Sequence, residues 1–456
     1  MPDAVLADRS PITAAEWKRK AVHAATGLFA LTFRWLDWRL AAIVAAAALL
    51  FNLFVMPRVG RELYRDSSRR RDPGIVAYPA MVLALVLLLR DHYLPVAAAV
   101  WAMMAFGDPA AAIAGDLLGG ARLPWNRGKR WIGLVANWAA GSTASIAVFR
   151  FVSARPLELG AVVLLLVGSA VYAFLESVRA GIDDNLVAAI PSALVMIQLG
   201  RWPEAPLAPF QAGSGGRLAA ALAVNVAAAL VTGLAGIVAP SGAVAGAVAG
   251  FLVLAYGGWA AYALLWLFFA AATAATKWGY GAKRDAGVAQ TNRGRRGAAN
   301  VAANCLVPVA FLVLGAPAAA FAGALAAALA DTLGTEVGTL YGRTPRSPLT
   351  LARLDPGTPG AVSGIGTAAA FAGAAAIAVA AWLLGWAPRG VFLAVLIGGF
   401  LGALAESVLA DLGRRLGFRP DHEFANAFNT FAGGLIALEI ALSLERGAVY
   451  WPVAAG

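Results

Sequence analysis

The residues able to do chemistry in this chain are carboxylates, lysines and arginines set inside or at the ends of long apolar runs. Asp108 interrupts WAMMAFGDPAAAIAGDLLGG, with Asp116 further along the same run. Lys129 and Arg130 open the next run as GKRWIG; Glu176 ends another in LESVRAGIDDNL, where Asp184 and Asn185 begin the one after. His23 follows Lys18-Arg19-Lys20. An ionisable group at membrane depth costs a few kcal/mol, so each demands a partner or a function. Carboxylates beside lysine and arginine suit phosphate chemistry with a divalent cation: the carboxylates hold Mg²⁺ while the cations neutralise phosphoryl oxygens. Singly, each has a plainer reading: Asp184 as a helix cap, Lys129 and Arg130 as snorkelling anchors, His23 as an interfacial residue.

The second half repeats the theme. TKWGYGAKRDAGVAQTNRGRRGAANVAANC carries Lys277, Lys283, Arg284 and Arg296. ALADTLGTEVG follows with Asp331 and Glu336, and then LDPGTPGAVSGIGT, whose Gly357, Gly360, Ser363 and Gly364 make a polar, glycine-rich entry to a helix. Such an entry can present backbone N–H groups to an anion, or be a simple loop. Glu406 and Asp411 in AESVLADLG, and Asn426 and Asn429 in FANAFNT, complete the set. GDPAAAIAG and ADTLGTEVG each place an Asp seven residues before a Gly, each ahead of an Arg-bearing loop. That spacing reads as a duplication of whole domains.

The elements that must position these groups are membrane helices. Of 456 residues, 60% are hydrophobic and 13% charged, against about 45–50% and about 25% in soluble proteins. The expected fold is an all-α polytopic integral membrane protein of about fifteen transmembrane helices in two bundles. Spans are expected near 21–36, 39–56, 74–89, 94–115, 131–152, 158–176 and 186–200, forming a domain over 1–200. A linker, RWPEAPLAPFQAGSGGR, covers 201–217. The second domain, 218–456, holds spans near 218–239, 241–256, 258–276, 297–315, 317–339, 361–386, 390–410 and 426–444.

With the N-terminus inside, the loops 1–20, 57–73, 116–130, 177–185, 277–296, 340–360 and 411–425 carry 27 of the 36 Lys and Arg. This is the positive-inside pattern, and it puts both residue clusters at the cytoplasmic face of the cell membrane. The net charge of +11 is thereby a topology signal, which argues against nucleic acid as a partner. The basic N-terminus runs into a span with no small-residue cleavage site, unlike a signal peptide. One cysteine, Cys305, excludes an intrachain disulfide. The absence of G-x-x-x-x-G-K-[ST], H-E-x-x-H and paired Cys/His spacing argues against a P-loop enzyme and against zinc.

Residues 17–200 resemble the membrane kinases of polyprenols (dolichol, phytol and farnesol kinases). The resemblance rests on WKRKAVH ending at His23, FGDPAAAIAG with Asp108, GKRWIG with Lys129, and LESVRAGIDDNL with Glu176, Asp184 and Asn185. Pro109 stands where that family usually has Ala, and Lys129-Arg130 where it has Lys-Ser. Residues 218–445 are similar to the integral membrane family that contains phytyl-phosphate kinase, with Glu406-Ser407 in place of an expected Asp-Ser. The resemblances imply a fused, two-step isoprenoid salvage enzyme. It would take a phosphoryl group from CTP, or ATP, to a prenyl alcohol, and then another to the prenyl monophosphate.

On that reading Asp108, Asp184, Asp331 and Glu336 hold Mg²⁺, with Glu176 beside the first site. Lys129, Arg130, Lys277, Lys283, Arg284 and Arg296 bind phosphates, and Gly357, Gly360, Ser363 and Gly364 cradle them. Asn426 and Glu406 complete the second site. The rival readings are a phosphatidate cytidylyltransferase, whose K-R…K-D…H-G-G…D-R block is missing here, and a lipid transporter or flippase.

Overall fold

The computed structural model describes residues 14–59, 73–123, 125–178, 184–201, 205–211, 213–285, 295–355, 357–386, 389–416 and 419–446. The protein is an all-α, multi-pass membrane protein; outside its helices the described residues form only isolated β-bridges. Runs of Ala and Leu favour helix, and in lipid the helix satisfies every backbone polar group internally. Ten described helices are long and apolar enough to cross a membrane, and three more apolar helices, 74–89, 187–200 and 298–313, are shorter. Fifteen spans were expected; one of the ten, Pro240–Lys277, contains two of those expected spans, joined across Gly258 with φ 68° and ψ −167°.

The chain divides into two compact units, Met1–Arg201 and Trp202–Gly456. The first contains α1 (Ala14–Gly27), α2 (Trp38–Val59), α3 (Pro73–Leu89), α4 (Leu94–Leu118), α5 (Trp131–Ser153), α6 (Leu159–Ser177) and α7 (Asp184–Arg201). Asp37 caps α2, its carboxylate accepting from the Arg39 and Leu40 amides at 2.8 and 2.9 Å. Helix α4 is central, with Ala98, Ala99 and Val100 fully buried. It widens into a π-helical segment, Met103–Gly107, immediately before Asp108. The sequence predicts a break around Gly107-Asp108-Pro109; the structure instead keeps the helix continuous, because Pro109 sits in the first turn after the π segment, where its missing N–H is tolerated.

The second unit contains α8 (Gly215–Leu234), α9 (Pro240–Lys277), α10 (Tyr280–Asp285), α11 (Ala298–Val313), α12 (Ala318–Tyr341), α13 (Gly364–Leu383), α14 (Arg389–Leu416) and α15 (His422–Arg446). Helix α12 is its axis, buried at every residue from Ala319 to Ala330. Three helices close on it through glycines. A Cβ at Gly433 of α15 would stand 2.4 Å from the Ala327 Cβ, one at Gly399 of α14 2.5 Å from the Ala326 Cβ, and one at Gly373 of α13 2.9 Å from the Leu329 carbonyl oxygen. Small residues let membrane helices pack backbone to backbone where lipid offers no hydrophobic drive to associate.

The two units share an order of elements. A helix with an internal proline comes first (Pro79 in α3, Pro308 in α11), and then the small-residue helix α4 or α12. A β-bridged hairpin follows, Arg122 to Arg130 in one unit and Arg346 to Val362 in the other, and then three further helices.

Candidate functional site

In the first unit the hairpin after α4 delivers Lys129. It is closed by Leu123 N–H to the Lys129 carbonyl at 2.9 Å and Trp131 N–H to the Ala121 carbonyl at 3.1 Å. The Lys129 ammonium meets the Glu176 carboxylate at 2.7 Å and also donates to the Glu176 backbone carbonyl. The other Glu176 oxygen accepts from the buried Asn137 amide at 3.1 Å. Trp125 and Asn126 of the hairpin bond to Ser177 at 2.9 and 3.0 Å, holding the turn on the end of α6. The site thus has a half-buried ammonium, a buried carboxylate and an amide fixed on three elements.

Asp108 lies close to this arrangement through Gly107, whose missing side chain admits Asn137: a Cβ there would stand 2.5 Å from the Asn137 Oδ1. The Asp108 carboxylate is half-buried and takes no hydrogen bond from a described residue, though it feels the Tyr78 hydroxyl electrostatically. His23 braces the same place from α1. Its Nε2 donates to the Met104 carbonyl at 3.1 Å, a carbonyl within the π segment, and its ring meets Tyr78 edge-on at 4.5 Å. Arg130 precedes α5 and reaches only the Gly120 carbonyl, at 3.4 Å. Asp184 and Asn185 occupy the first two positions of α7; their side chains lie outside the described residues.

The second unit has its own lysine–glutamate pair, drawn from different elements. Lys283 of α10 meets Glu336 of α12 at 2.5 Å and the Ala275 carbonyl at 3.0 Å; the lysine is 2% exposed and the glutamate 6%. Arg296, just before α11, is buried over the Phe268 ring at 5.6 Å, within the field of Glu336. Burial lowers its guanidinium from the usual arginine value.

Asp331 interacts with Glu406 of α14, with Thr335 and with His422 of α15; the amide of Asn426 lies 3.5 Å from the His422 ring. The sequence pairs Asp331 with Glu336. The structure gives Glu336 to the buried Lys283 and sets Glu406 beside Asp331, because the helical spacing from 331 to 336 turns the two side chains to different faces. Among the described residues no three of His, Cys, Asp and Glu converge on one point. Two carboxylates fit Mg²⁺ nonetheless, since that ion is usually held by one or two carboxylates plus substrate phosphates.

The glycine-rich entry is taken up by packing. Ser363 caps α13, accepting from the Gly366 amide at 3.2 Å. Gly360, with φ +77°, lies against α14: a Cβ would stand 2.6 Å from the Asp411 nitrogen and from the Ser407 carbonyl oxygen. Gly357 and Gly364 are exposed. What fastens the hairpin is Asp411, fully buried, which accepts from Ser347, Arg414 and Arg415, while Arg415 donates to Ser347 and Thr350 at 3.0 and 2.7 Å. Lys277 is exposed at the end of α9, and Arg284 is exposed and paired with Asp285 at 3.1 Å.

Sequence reasoning missed Asn137, His422 and Ser347. Asn137 had a signal, a lone amide in the apolar run WIGLVANWAAG. So had His422, one helical turn before Asn426.

Residues 223–415 match the family described as Integral membrane protein DUF92. Over 212 residues the chain is 31% identical to "Uncharacterized membrane protein sll0875" of Synechocystis sp. (strain ATCC 27184 / PCC 6803 / Kazusa), covering 43% of this chain and 80% of that protein. The chain belongs to the family of that membrane protein. It is also 30% identical over 198 residues to "Probable phytol kinase 3, chloroplastic" of Glycine max, and 26% identical over 194 residues to "Probable phytol kinase 2, chloroplastic" of the same plant. Those alignments cover 39% and 40% of this chain and 61% and 64% of the two plant proteins. This member of the family therefore contains a phytol-kinase-like membrane domain. No solved structure matches it.

Proposed function

We propose that the protein is a membrane kinase of isoprenoid alcohols, built as a fusion of two kinase units. The first unit, 1–200, phosphorylates a prenyl alcohol of the phytol, farnesol or geranylgeraniol type. The second, 218–456, phosphorylates the resulting monophosphate to the diphosphate. The observation that carries this reading is the recurrence of one arrangement: in each unit a lysine is held on a glutamate, 2.7 Å apart in one and 2.5 Å in the other, near a further aspartate. The similarity to two plant proteins named as phytol kinases supports it.

The chemistry follows from the groups. Phosphoryl transfer needs positioning and charge stabilisation more than covalent help from the protein. An ammonium resting on a carboxylate keeps its charge in a low-dielectric site and can accept phosphoryl oxygens as a second ligand. Asp108, and Asp331 with Glu406, are the carboxylates available to Mg²⁺, which when bound would link them to the nucleotide phosphates. The donor is CTP, on the family resemblance. Both sites face the cytoplasm, where the basic loops lie.

The test is direct. Purified full-length protein in nanodiscs is given Mg²⁺ and γ-³²P-labelled CTP or ATP with phytol, farnesol or geranylgeraniol, or with their monophosphates, and lipids are separated by thin-layer chromatography. Labelled mono- and diphosphate are expected, with CTP preferred. Label from the alcohols but not from added monophosphates would remove the second step. No labelled lipid at all would refute the kinase reading.

A further inference from the structure

The second unit contains a cavity that the phosphate-transfer groups do not use. It lies among α8, both halves of α9 and α11, with a volume of about 90 Å³. At one end stand Arg296, Asn300 and Asn304; the remaining wall is alanine, glycine and aromatic carbon, including Tyr262, Trp266 and Phe269. A second apolar groove of about 620 Å³ shares Ala228, Thr232, Trp266 and Phe269 with it and runs along α8 and the second half of α9 to Lys277. That volume is in the range of ligand sites, roughly 300–1,000 Å³.

Two polar groups at the closed end lack partners. Arg296 is 9% exposed, and among the described residues its guanidinium makes no hydrogen bond or ion pair, only the contact with the Phe268 ring. The Asn300 side-chain oxygen is buried with no hydrogen-bond partner. Burying a guanidinium without an anion costs several kcal/mol, so this end is built for an anionic group that arrives from outside. Guanidinium is the side chain best matched to phosphate oxygens, through two parallel N–H···O bonds.

We infer that the cavity binds the phosphate monoester of a single apolar chain, with its phosphate on Arg296 and Asn300 and its chain lying along α8 and α9 toward the bilayer. This rests on the proposed second kinase step and names its acceptor site. The phosphate oxygens accept from Arg296, and a residual P–OH donates to Asn300. The field of Glu336 reaches Arg296, which puts the bound phosphate beside the Lys283–Glu336 pair where a second phosphoryl group would be delivered. The glycines of α9 shape the space differently. A Cβ at Gly250 would collide with Asn225, at 2.0 Å, whereas one at Gly246, which lines the cavity, has nothing within 4 Å. A side chain at 246 therefore enters the cavity without disturbing the packing around it.

The experiment measures binding of tritiated geranylgeranyl monophosphate to full-length protein in phosphatidylcholine nanodiscs by scintillation proximity, without nucleotide. Geranylgeraniol, phosphatidate and inorganic phosphate serve as competitors. Alkylation of Cys305, which lines the cavity, reports where the ligand sits. We expect the monophosphate to bind and to slow alkylation, with the alcohol competing weakly and phosphatidate and inorganic phosphate not competing. Arg296→Gln should lose at least tenfold in affinity for the monophosphate but not for the alcohol, Arg296→Lys should recover part of that loss, and Gly246→Leu should weaken both ligands.

Equal competition by phosphatidate would overturn the single-chain assignment. Unchanged binding in Arg296→Gln, or no effect of Gly246→Leu, would overturn the site. Binding with these sensitivities but no turnover would leave the site standing and refute the second kinase step.

Discussion

Lys283→Met is the perturbation whose outcome the structure constrains most tightly. The ammonium sits 2.5 Å from the Glu336 carboxylate, with both residues buried, the glutamate 6% exposed. Removing the lysine leaves the Glu336 charge uncompensated, and breaking a buried pair from one side costs about 3–5 kcal/mol. Each kcal/mol moves Tm by about 2–4 °C in a domain of 150–250 residues, so a fall of roughly 6–20 °C is expected. Removing both charges, in Lys283→Met with Glu336→Leu, restores most of that loss, since a buried pair is often no more stable than its apolar replacement. Turnover should behave otherwise: phosphorylation of added prenyl monophosphate is lost in the single and in the double variant alike, while phosphorylation of the alcohol persists. Intrinsic fluorescence on heating in nanodiscs and the thin-layer assay supply the two readouts. A double variant no more stable than the single would refute the energetic reasoning. A double variant that turns over monophosphate normally would show the pair to be packing and remove it from the second site.

In the first unit, Asp108→Asn should lower phosphorylation of the alcohol by about 10²-fold or more while added monophosphate is still converted, read in the same assay. Gly433→Ala forces a methyl to within 2.4 Å of the Ala327 Cβ and should cost about 1–3 kcal/mol by overpacking, seen as a lower Tm. Asp411→Ala strips Ser347, Arg414 and Arg415 of their shared acceptor; hydrogen exchange over 343–362 should accelerate sharply, with the rest of α14 little changed. For orientation, cysteines placed at the exposed positions 127 and 349 in a Cys305→Ser background should react with a membrane-impermeant maleimide from the cytoplasmic side, and one at 156 from the opposite side.

The parts of this protein legible in its sequence are those set by composition and period. Apolar runs between basic loops gave the helices, and the grouping of Lys129, Glu176, Lys283 and Glu336 near span ends followed from the cost of keeping charge in lipid. Partners were not legible. Lys129 and Glu176 are 47 residues apart, and they meet because a bridged hairpin folds one onto the end of the helix carrying the other. Glu336 and Glu406 looked interchangeable as companions for Asp331, and only the facing of three helices separates them. The glycine-rich stretch 354–367 has the composition of an anion cradle, yet at Gly360 and Ser363 it serves close packing and helix capping. Composition does not distinguish a backbone that meets a ligand from one that meets a helix.

The π-helical turn at Met103–Gly107 carries a consequence for how such a chain can vary. A π turn holds one residue more than the α-helix it interrupts. Deleting a single residue there, Ala105 for example, would return the helix to regular register and swing all that follows by about 100°. Asp108 would then face away from Asn137, and His23 would lose the Met104 carbonyl it holds. Insertions and deletions are usually tolerated in loops and harmful in helices by degree. Here, one residue's difference in the middle of a buried helix separates a chain with its aspartate in place from one of almost identical composition without it.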